Sequence, residues 1–570
     1  MAFCGIVILK NRERITPRSS FMRRAICVGV SMKSVLQRNS GSESLVDSIR
    51  VKSIILSILL ICLRTNFIHA QQNYVRVEGT HFTLDGRQYY FVGTNFWYGC
   101  YIGSTGATGD TSRLVRELNR MEDAGINNLR ILGASELSNA AMSLKPAIQI
   151  SPGIYDDSLL AGLDFLLSEM GKRNMHAVIF LNNYWTWSGG MYQYNSWFGG
   201  SANQYDTSPF YRNAIANDTF KTYISFLINR QNTITGLHYY EDPTIMAWEL
   251  ANEPRPGSGS TNSFYQWIDS TAKYIHSLDP NHLVTTGNEG TMGCNSSGSI
   301  FLTAHQNQYI DYATIHVWAL NWGWIDTAKM AQTYPGALSS AESYVQQHIS
   351  YARMLGKPLV MEEFGLPRDG GKYSPGSTTT FRDEYDAALL QTIYDSACAG
   401  APIAGSNFWG WGGEGRSPNS DYVWRVGDPF VCDPPMEAQG LNSVFDTDSS
   451  TIKVILEYAD SMSRLRTLVA VKERGDIARG FKLYQNYPNP FNPTTAISYQ
   501  LPDISHVTLE IYDVLGREVR TLVNEVEKAG RYDVMFDADN LSSGVYFCKL
   551  VVTSNEERRF MAVDKLLLFK

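Results

Sequence analysis

The chain has 570 residues, more than one hydrophobic core holds, so two or more domains plus processed segments are expected. A net charge of −7 offers no basic surface for nucleic acid or an anionic membrane. The composition includes 12 Trp and 32 Tyr, and those that sit near Gly and Asn are candidates for more than packing.

The chain opens on a targeting region. Ile54–Leu63 is a ten-residue apolar run preceded by Arg50 and Lys52 and followed by Ile68-His69-Ala70, a small-residue cleavage site before Gln71. That run is too short to span a bilayer, so residues 51–70 read as a removed signal peptide and no stable membrane span is expected in the mature protein. Residues 1–50 read as a non-native or extended leader, because Val51-Lys52 looks like a natural start. Cys100, Cys294, Cys398 and Cys432 fall in the main domain of an exported chain. They are read as two disulfides, with three possible connectivities, or as buried free thiols. No CxxC pair or His-rich spacing suggests a metal site, and no cofactor is expected.

From about Tyr74 to Leu465 the sequence shows eight buried strand candidates: Tyr89–Asn95, Asn128–Leu132, Ala177–Asn182, Ile245–Ala251, Leu283–Thr286, Tyr312–Val317, Leu359–Glu363 and Ile403–Trp409. Helical patterns lie between them. Ser112–Ala124 carries Leu114, Leu118 and Met121 on one face and ends at Gly125; Ser158–Lys172 is similar. Eight strands alternating with helices predict an α/β fold, a (β/α)8 TIM barrel over residues 71–465. The alternative, a doubly wound open sheet, would carry a Gly-rich phosphate loop after an early strand. A charged linker follows at 466–480. Residues 481–570 carry short alternating strands, Ala496–Leu501, Val507–Asp513, Gly530–Phe536 and Gly544–Thr553, and predict a small all-β sandwich.

The chemistry concentrates in two segments, Trp248-Glu249-Leu250-Ala251-Asn252-Glu253-Pro254-Arg255 and Pro358-Leu359-Val360-Met361-Glu362-Glu363-Phe364-Gly365. Each is an apolar strand ending in a carboxylate, and barrel active sites form at strand C-termini. The fourth and seventh strands face each other across a barrel mouth. Two glutamates placed there can flank a glycosidic bond, about 5–5.5 Å apart in a retaining enzyme. Neighbours on a strand point to opposite sides, so only one of Glu362 and Glu363 is expected to face the mouth.

Trp-Glu-Leu-Ala-Asn-Glu-Pro and Glu-Glu-Phe-Gly resemble the acid/base and nucleophile motifs of glycoside hydrolase family 5. Asn-Glu-Pro-Arg, with Asn182-Asn183-Tyr184-Trp185 and Gly287-Asn288-Glu289-Gly290, is similar to that family's endo-β-1,4-mannanase branch. The resemblance implies a retaining enzyme acting on β-mannan. Glu253 would be the acid/base and Glu363, directly before Phe-Gly, the nucleophile. Asn252 would bind the sugar 2-hydroxyl, Arg130 would hold the nucleophile ionised, and His316 would be the active-site histidine. Trp409 would be the sugar platform and Arg255 a contact on the leaving-group side. Trp318 stands where many members carry a Tyr that donates to the nucleophile; an indole N–H also donates. Trp97, Trp185, Trp187, Trp322 and Trp324 are each a sugar platform or ordinary packing, with Trp185 favoured by its motif. The rivals are a β-1,4-glucanase on the same scaffold, a transglycosylase, and a non-catalytic surface glycan-binding protein.

The tail carries Tyr487-Pro488-Asn489-Pro490-Phe491-Asn492-Pro493, Ile511-Tyr512-Asp513-Val514-Leu515-Gly516-Arg517 and Ser543-Gly544-Val545-Tyr546. It resembles the C-terminal sorting domain of the type IX secretion system, which implies that machinery as a partner and a secreted or cell-surface location. The alternative, a carbohydrate-binding sandwich, needs an exposed aromatic strip that these strands do not offer.

Overall fold

The computed structural model describes residues 74–473 and 481–569, apart from positions 485, 487–488, 503, 529, 539 and 555–558. The expected leader and signal peptide lie outside the described residues.

Eight strands form one parallel sheet: β1 (Phe91–Asn95), β2 (Asn128–Leu132), β3 (His176–Phe180), β4 (Ile245–Glu249), β5 (Leu283–Thr285), β6 (Ala313–Val317), β7 (Leu359–Phe364) and β8 (Ile403–Phe408). Hydrogen bonding runs β5-β4-β3-β2-β1-β8-β7-β6, and a parallel bridge between Thr285 and Tyr312 joins β5 to β6 and closes the barrel. A helix follows each strand: α1 (Thr111–Asp123), α2 (Asp157–Gly171), α3 (Ala214–Ile228), α4 (Thr261–Leu278), α5 (Gly298–His305), α6 (Met330–Leu355), α7 (Thr380–Cys398) and α8 (Ser449–Glu473). The predicted TIM barrel is therefore present.

Local sequence explains the alternation. The barrel strands are buried along their length, which is why they read as apolar runs rather than as a period of two. The α1 stripe of Leu114, Leu118 and Met121 is buried. Asp110 caps α1 by accepting from Arg113 N at 2.8 Å, and Gly125 follows the helix with φ +75°. Asp156 does the same for α2, accepting from Ser158 N and Leu159 N. An antiparallel N-terminal sheet precedes β1. Its Phe82 packs 5.2 Å from the Tyr312 ring and 6.5 Å from that of Phe91, stoppering the end of the barrel opposite the strand tips.

Two expectations change. The helix α8 runs on to Glu473, into the stretch read as a linker, because its pattern continues past Leu465. None of Cys100, Cys294, Cys398 and Cys432 forms a disulfide, so that reading fails; Cys100, Cys294 and Cys432 are buried thiols, as the alternative has it, whereas Cys398 is exposed. Cys294 Sγ lies 3.4 Å from Asn288 Oδ1 and Cys432 Sγ 3.4 Å from Asn95 O, each thiol fixed in its own pocket. Among the described residues, no helix is long and apolar enough to cross a membrane.

The C-terminal segment forms two antiparallel sheets. One orders β9 (Lys482–Leu483), β10 (Thr494–Leu501) and β13 (Gly530–Asp537); the other orders β12 (Glu518–Glu527), β11 (Ser505–Asp513), β14 (Gly544–Ser554) and β15 (Arg559–Leu568). Alternate residues such as Ile497, Tyr499, Val507, Leu509, Leu550 and Val552 make its own core. The strands β9, β12 and β15 are not among the expected ones: β9 is very short, and charged residues mask the alternation of β12 and β15.

Two buried histidines tie the α5–α6 side together. His305 sits 2.8 Å from Thr286 Oγ1, and His348 Nε2 accepts from Thr291 N at 2.9 Å while Nδ1 faces Tyr344 O. Burial pushes them down to about 3 and about 4. Unfolded histidine titrates near 6.5. Between these values the unfolded chain binds more protons, so stability falls as pH drops below about 6.5, by about 1.4 kcal/mol per unit for each histidine. Urea midpoints at pH 7.5, 6 and 5 should show this decline, and His348→Gln should make it shallower.

Candidate functional site

The site begins at the tip of β4. Leu250 N, Asn252 N and Glu253 N donate to Thr285 O, Asn182 O and Gly287 O at 2.9 Å each, so the chain beyond the strand is clamped between its neighbours. Glu253 adopts φ +51°, a left-handed conformation uncommon for a residue with a side chain. Gly287 makes the clamp possible, since a Cβ there would lie 2.1 Å from both Ala251 O and Glu249 Oε1.

At the tip of β7 the register against β6 slips by one residue: Ile315 pairs with Met361 and His316 with Glu363. This bulge changes the strict alternation of the strand at the two glutamates, and only one of them reaches the mouth. Glu363 lines the mouth, while Glu362 turns beneath it, accepting from Tyr312 Oη at 3.3 Å and lying 3.9 Å from Arg130 Nε.

Arg130, from β2, is fully buried between the two strands. Its Nε and Nη2 donate to Glu249 at 2.8 and 2.6 Å, Nη2 also to Asn252 Oδ1 at 2.7 Å, and Nη1 to Asn95 Oδ1 at 3.1 Å and to Glu363 Oε1. The other oxygen of Glu363 accepts from Trp318 Nε1 at 3.0 Å, which is the donor the sequence substitutes for tyrosine. His316 Nδ1 sits 2.7 Å from Glu253 Oε1 and 3.3 Å from Glu363 Oε2. Trp185 Nε1 donates to the second Glu253 oxygen.

Electrostatics separate these groups. Burial pushes His316 down to about 4, so it is neutral. Burial also pushes the Glu253 carboxyl up, but the donors His316 and Trp185, with the Arg255 charge, outweigh it and hold Glu253 below its usual value. Glu363 is raised well above its usual value, by burial first and then by the Glu253 charge, against Arg130 and Trp318. The two carboxyls therefore titrate as one unit, and a single negative charge between them is favoured over two.

A cavity of about 480 Å³ opens over the pair, lined by Trp185, Trp187, Asn252, Trp318 and Trp409 among others. Trp409 stands edge-on to Trp318 with ring centroids 5.8 Å apart. Arg255 forms a bidentate ion pair with Glu289 at 2.6 and 2.7 Å, and its guanidinium lies 4.7 Å from the Trp185 ring. Trp322 also lines the cavity, with Trp324 packed behind it at 4.9 Å. Trp97 is not part of the lining. It is buried against Trp187 and Phe430, and its Nε1 donates to Cys432 O, so it supports the wall from behind. Sequence reasoning missed Glu249, Asn321 and Glu437. Glu249 was visible four residues before Glu253, but Glu437 sits in an irregular loop with no periodic signal.

Glu253, His316 and Glu363 also have atoms spaced closely enough to hold a metal ion. The guanidinium bound to Glu363 already places a positive charge there.

The barrel and its paired carboxyls are those of a glycoside hydrolase, and residues 72–467 match the family model described as GH family 5 beta-mannosidase-like. The chain belongs to glycoside hydrolase family 5. Mannan endo-1,4-beta-mannosidase 4 of Solanum lycopersicum is 30% identical over 412 residues, covering 70% of this chain and 93% of that protein. A glycoside hydrolase family 5 mannosidase from Rhizomucor miehei superposes with a TM-score of 0.64 at 32% identity, covering 70% of this chain and 99% of that one. An endo-1,4-beta-mannanase from the same organism gives 0.53 at 26% identity, covering 69% and 99%. Residues 485–563 match the secretion system C-terminal sorting domain.

Trp318→Phe removes the indole donor to Glu363 and keeps an aromatic wall. Hydrogen bonds to charged groups contribute about 1.5–3 kcal/mol, so kcat/KM should fall by about 10- to 100-fold. Steady-state kinetics with an unchanged melting temperature would confirm this; an unaltered kcat/KM would deny the indole a role.

Proposed function

We propose that the chain is a secreted, retaining endo-β-1,4-mannanase that hydrolyses internal bonds of mannan, glucomannan or galactomannan. The observation that carries the mechanism is the approach of Glu253 and Glu363, whose carboxylate oxygens come within 4.8 Å of each other. Inverting enzymes hold their carboxyls about 6.5–9.5 Å apart to admit a water, and retaining ones about 5–5.5 Å. The names of the relatives support mannan as the substrate.

The pair shares one proton, and the reactive arrangement is the one that carries it on Glu253 and leaves Glu363 charged. In the first step Glu253 donates that proton to the departing glycosidic oxygen. A Glu363 oxygen attacks the anomeric carbon, the C–O bond breaks, and a glycosyl ester forms. Arg130 and Trp318 stabilise Glu363 while it is charged, and Arg130 fixes the Asn252 amide for the sugar 2-hydroxyl. Glu253, now ionised, takes a proton from water, which attacks the same carbon and frees Glu363. Trp409 carries the ring at the cleavage point. Arg255 and Glu289, joined as a pair, and Trp185 form the leaving-group side.

The match of residues 485–563 to a sorting domain supports export by the type IX machinery and a secreted or cell-surface location. In this reading residues 51–70 are the signal peptide, 71–465 the catalytic domain, 466–480 a linker shortened by the end of α8, and 481–570 the sorting domain.

Reducing-sugar release on linear mannan, glucomannan and carboxymethyl cellulose should appear on the first two. It should fall by at least about 10⁴-fold in Glu363→Ala, as when a nucleophile is removed. Proton NMR of the first product should show the β-anomer. Hydrolysis of carboxymethyl cellulose alone would make the chain a glucanase, and an initial α-anomer would exclude the double displacement.

A further inference from the structure

Glu437 is a carboxyl in the cavity wall that has no work in the mechanism above. It lies in the loop that follows β8, on the side of the mouth opposite β4. The loop is fixed from within. The buried Asp433 accepts from Gly440 N, Asn442 N and Ser443 Oγ at 2.8, 2.9 and 2.5 Å. Gln439 Nε2 donates to the carbonyls of Asp433, Pro434 and Glu437 at 3.0–3.1 Å, and Glu437 N donates to Pro434 O at 2.9 Å. The backbone of Glu437 is thus held, while its carboxyl lines the same cavity as Glu253 and Glu363.

That carboxyl lacks partners. Its Oε2 is enclosed and makes no hydrogen bond among the described residues. Burial, Asp433 and Glu253 together push it up to about 8, and no cation offsets them. At neutral pH it is a carboxylic acid able both to donate and to accept. The residue as a whole is half-buried; an enclosed oxygen left unpaired costs stability, and a held loop that aims one into a cavity prepares it for a partner from outside.

We propose that Glu437 is a specificity-determining residue that hydrogen-bonds a hydroxyl of the sugar bound between Glu253 and Glu363. The proposal rests on the mannanase reading and adds to it a polar contact from the β8 wall of the cavity that Arg255 and Glu289 also line. The ligand class is a β-linked pyranoside with a free hydroxyl on that side of the ring.

The test uses the full chain. Glu437→Ala should raise KM on linear mannan by about tenfold with kcat changed far less, the loss of one hydrogen bond. Glu437→Gln, whose amide also donates and accepts, should recover most of that loss. The melting temperature of Glu437→Ala should equal or exceed that of the parent, because the side chain holds nothing in the free protein. A structural role predicts the opposite: a lowered melting temperature with Gln no better than Ala.

Calorimetric titration of mannotriose into Glu363→Ala, with and without Glu437→Ala, reads binding without turnover and should show the same tenfold loss. Unchanged KM and unchanged affinity in the alanine variant, with the parent active on mannan, would overturn this assignment alone. A parent that neither cleaves mannan nor binds mannotriose would overturn it together with the mannanase reading.

Discussion

The buried guanidinium of Arg130 organises the site. All five of its N–H donors are used, on Glu249 twice, Asn252, Asn95 and Glu363, which come from three different strands or their tips. A cation buried in a barrel is strongly unfavourable unless carboxylates and amides replace its water. Here they do, and the same bonds that offset its desolvation fix the positions of the catalytic candidates. Removing Arg130 would therefore leave Glu249 and Glu363 as uncompensated neighbouring charges, so its contributions to stability and to chemistry cannot be separated. Glu362 shows how close to the limit the cluster lies: burial first, then the neighbouring Glu249, raises its carboxyl well above the ordinary range, against Arg130.

Around that centre the backbone departs from regular strand wherever a functional group must be aimed. Glu253 takes a left-handed conformation, Gly287 admits the Ala251 carbonyl and the Glu249 carboxylate, and the slip between β6 and β7 turns both Glu362 and Glu363 inward. Each irregularity is held by hydrogen bonds from regular neighbours. The rigid barrel sets the separation of the two glutamates, and the local irregularities set their direction.

Legibility followed the same division. The eight strands could be read because burial on both faces leaves uninterrupted apolar runs, and Asn128–Leu132 agrees end for end. Glu253 and Glu363 could be read because they break such runs at their ends. Trp97 could not be placed: indoles in a wall and indoles behind it have the same local sequence, and only the fold shows that its N–H is taken by the Cys432 carbonyl. The titration of the pair was also hidden. The resemblance implies a nucleophile held ionised by Arg130, yet burial raises Glu363 while His316 and Trp185 draw Glu253 down. Those balances depend on which donor reaches which oxygen, and that is set by loops rather than by motif spacing.

The loops therefore divide into two kinds. The loop after β3 and the tips of β4, β6 and β7 carry side chains that bond to each other, as Trp185, His316 and Trp318 do with the two glutamates, so the proposed catalytic centre is preorganised without substrate. The loop after β8 is equally rigid in its backbone but presents Glu437 with an unanswered oxygen. Preorganised donors act on the charge that develops at the reacting carbon, whichever sugar supplies it, whereas an unanswered group distinguishes among sugars by which hydroxyl can reach it. In the proposed reading the chemistry of this chain lies at the tips of β4 and β7, and its choice among β-glycans lies across the mouth at Glu437, in the segment least visible to the sequence.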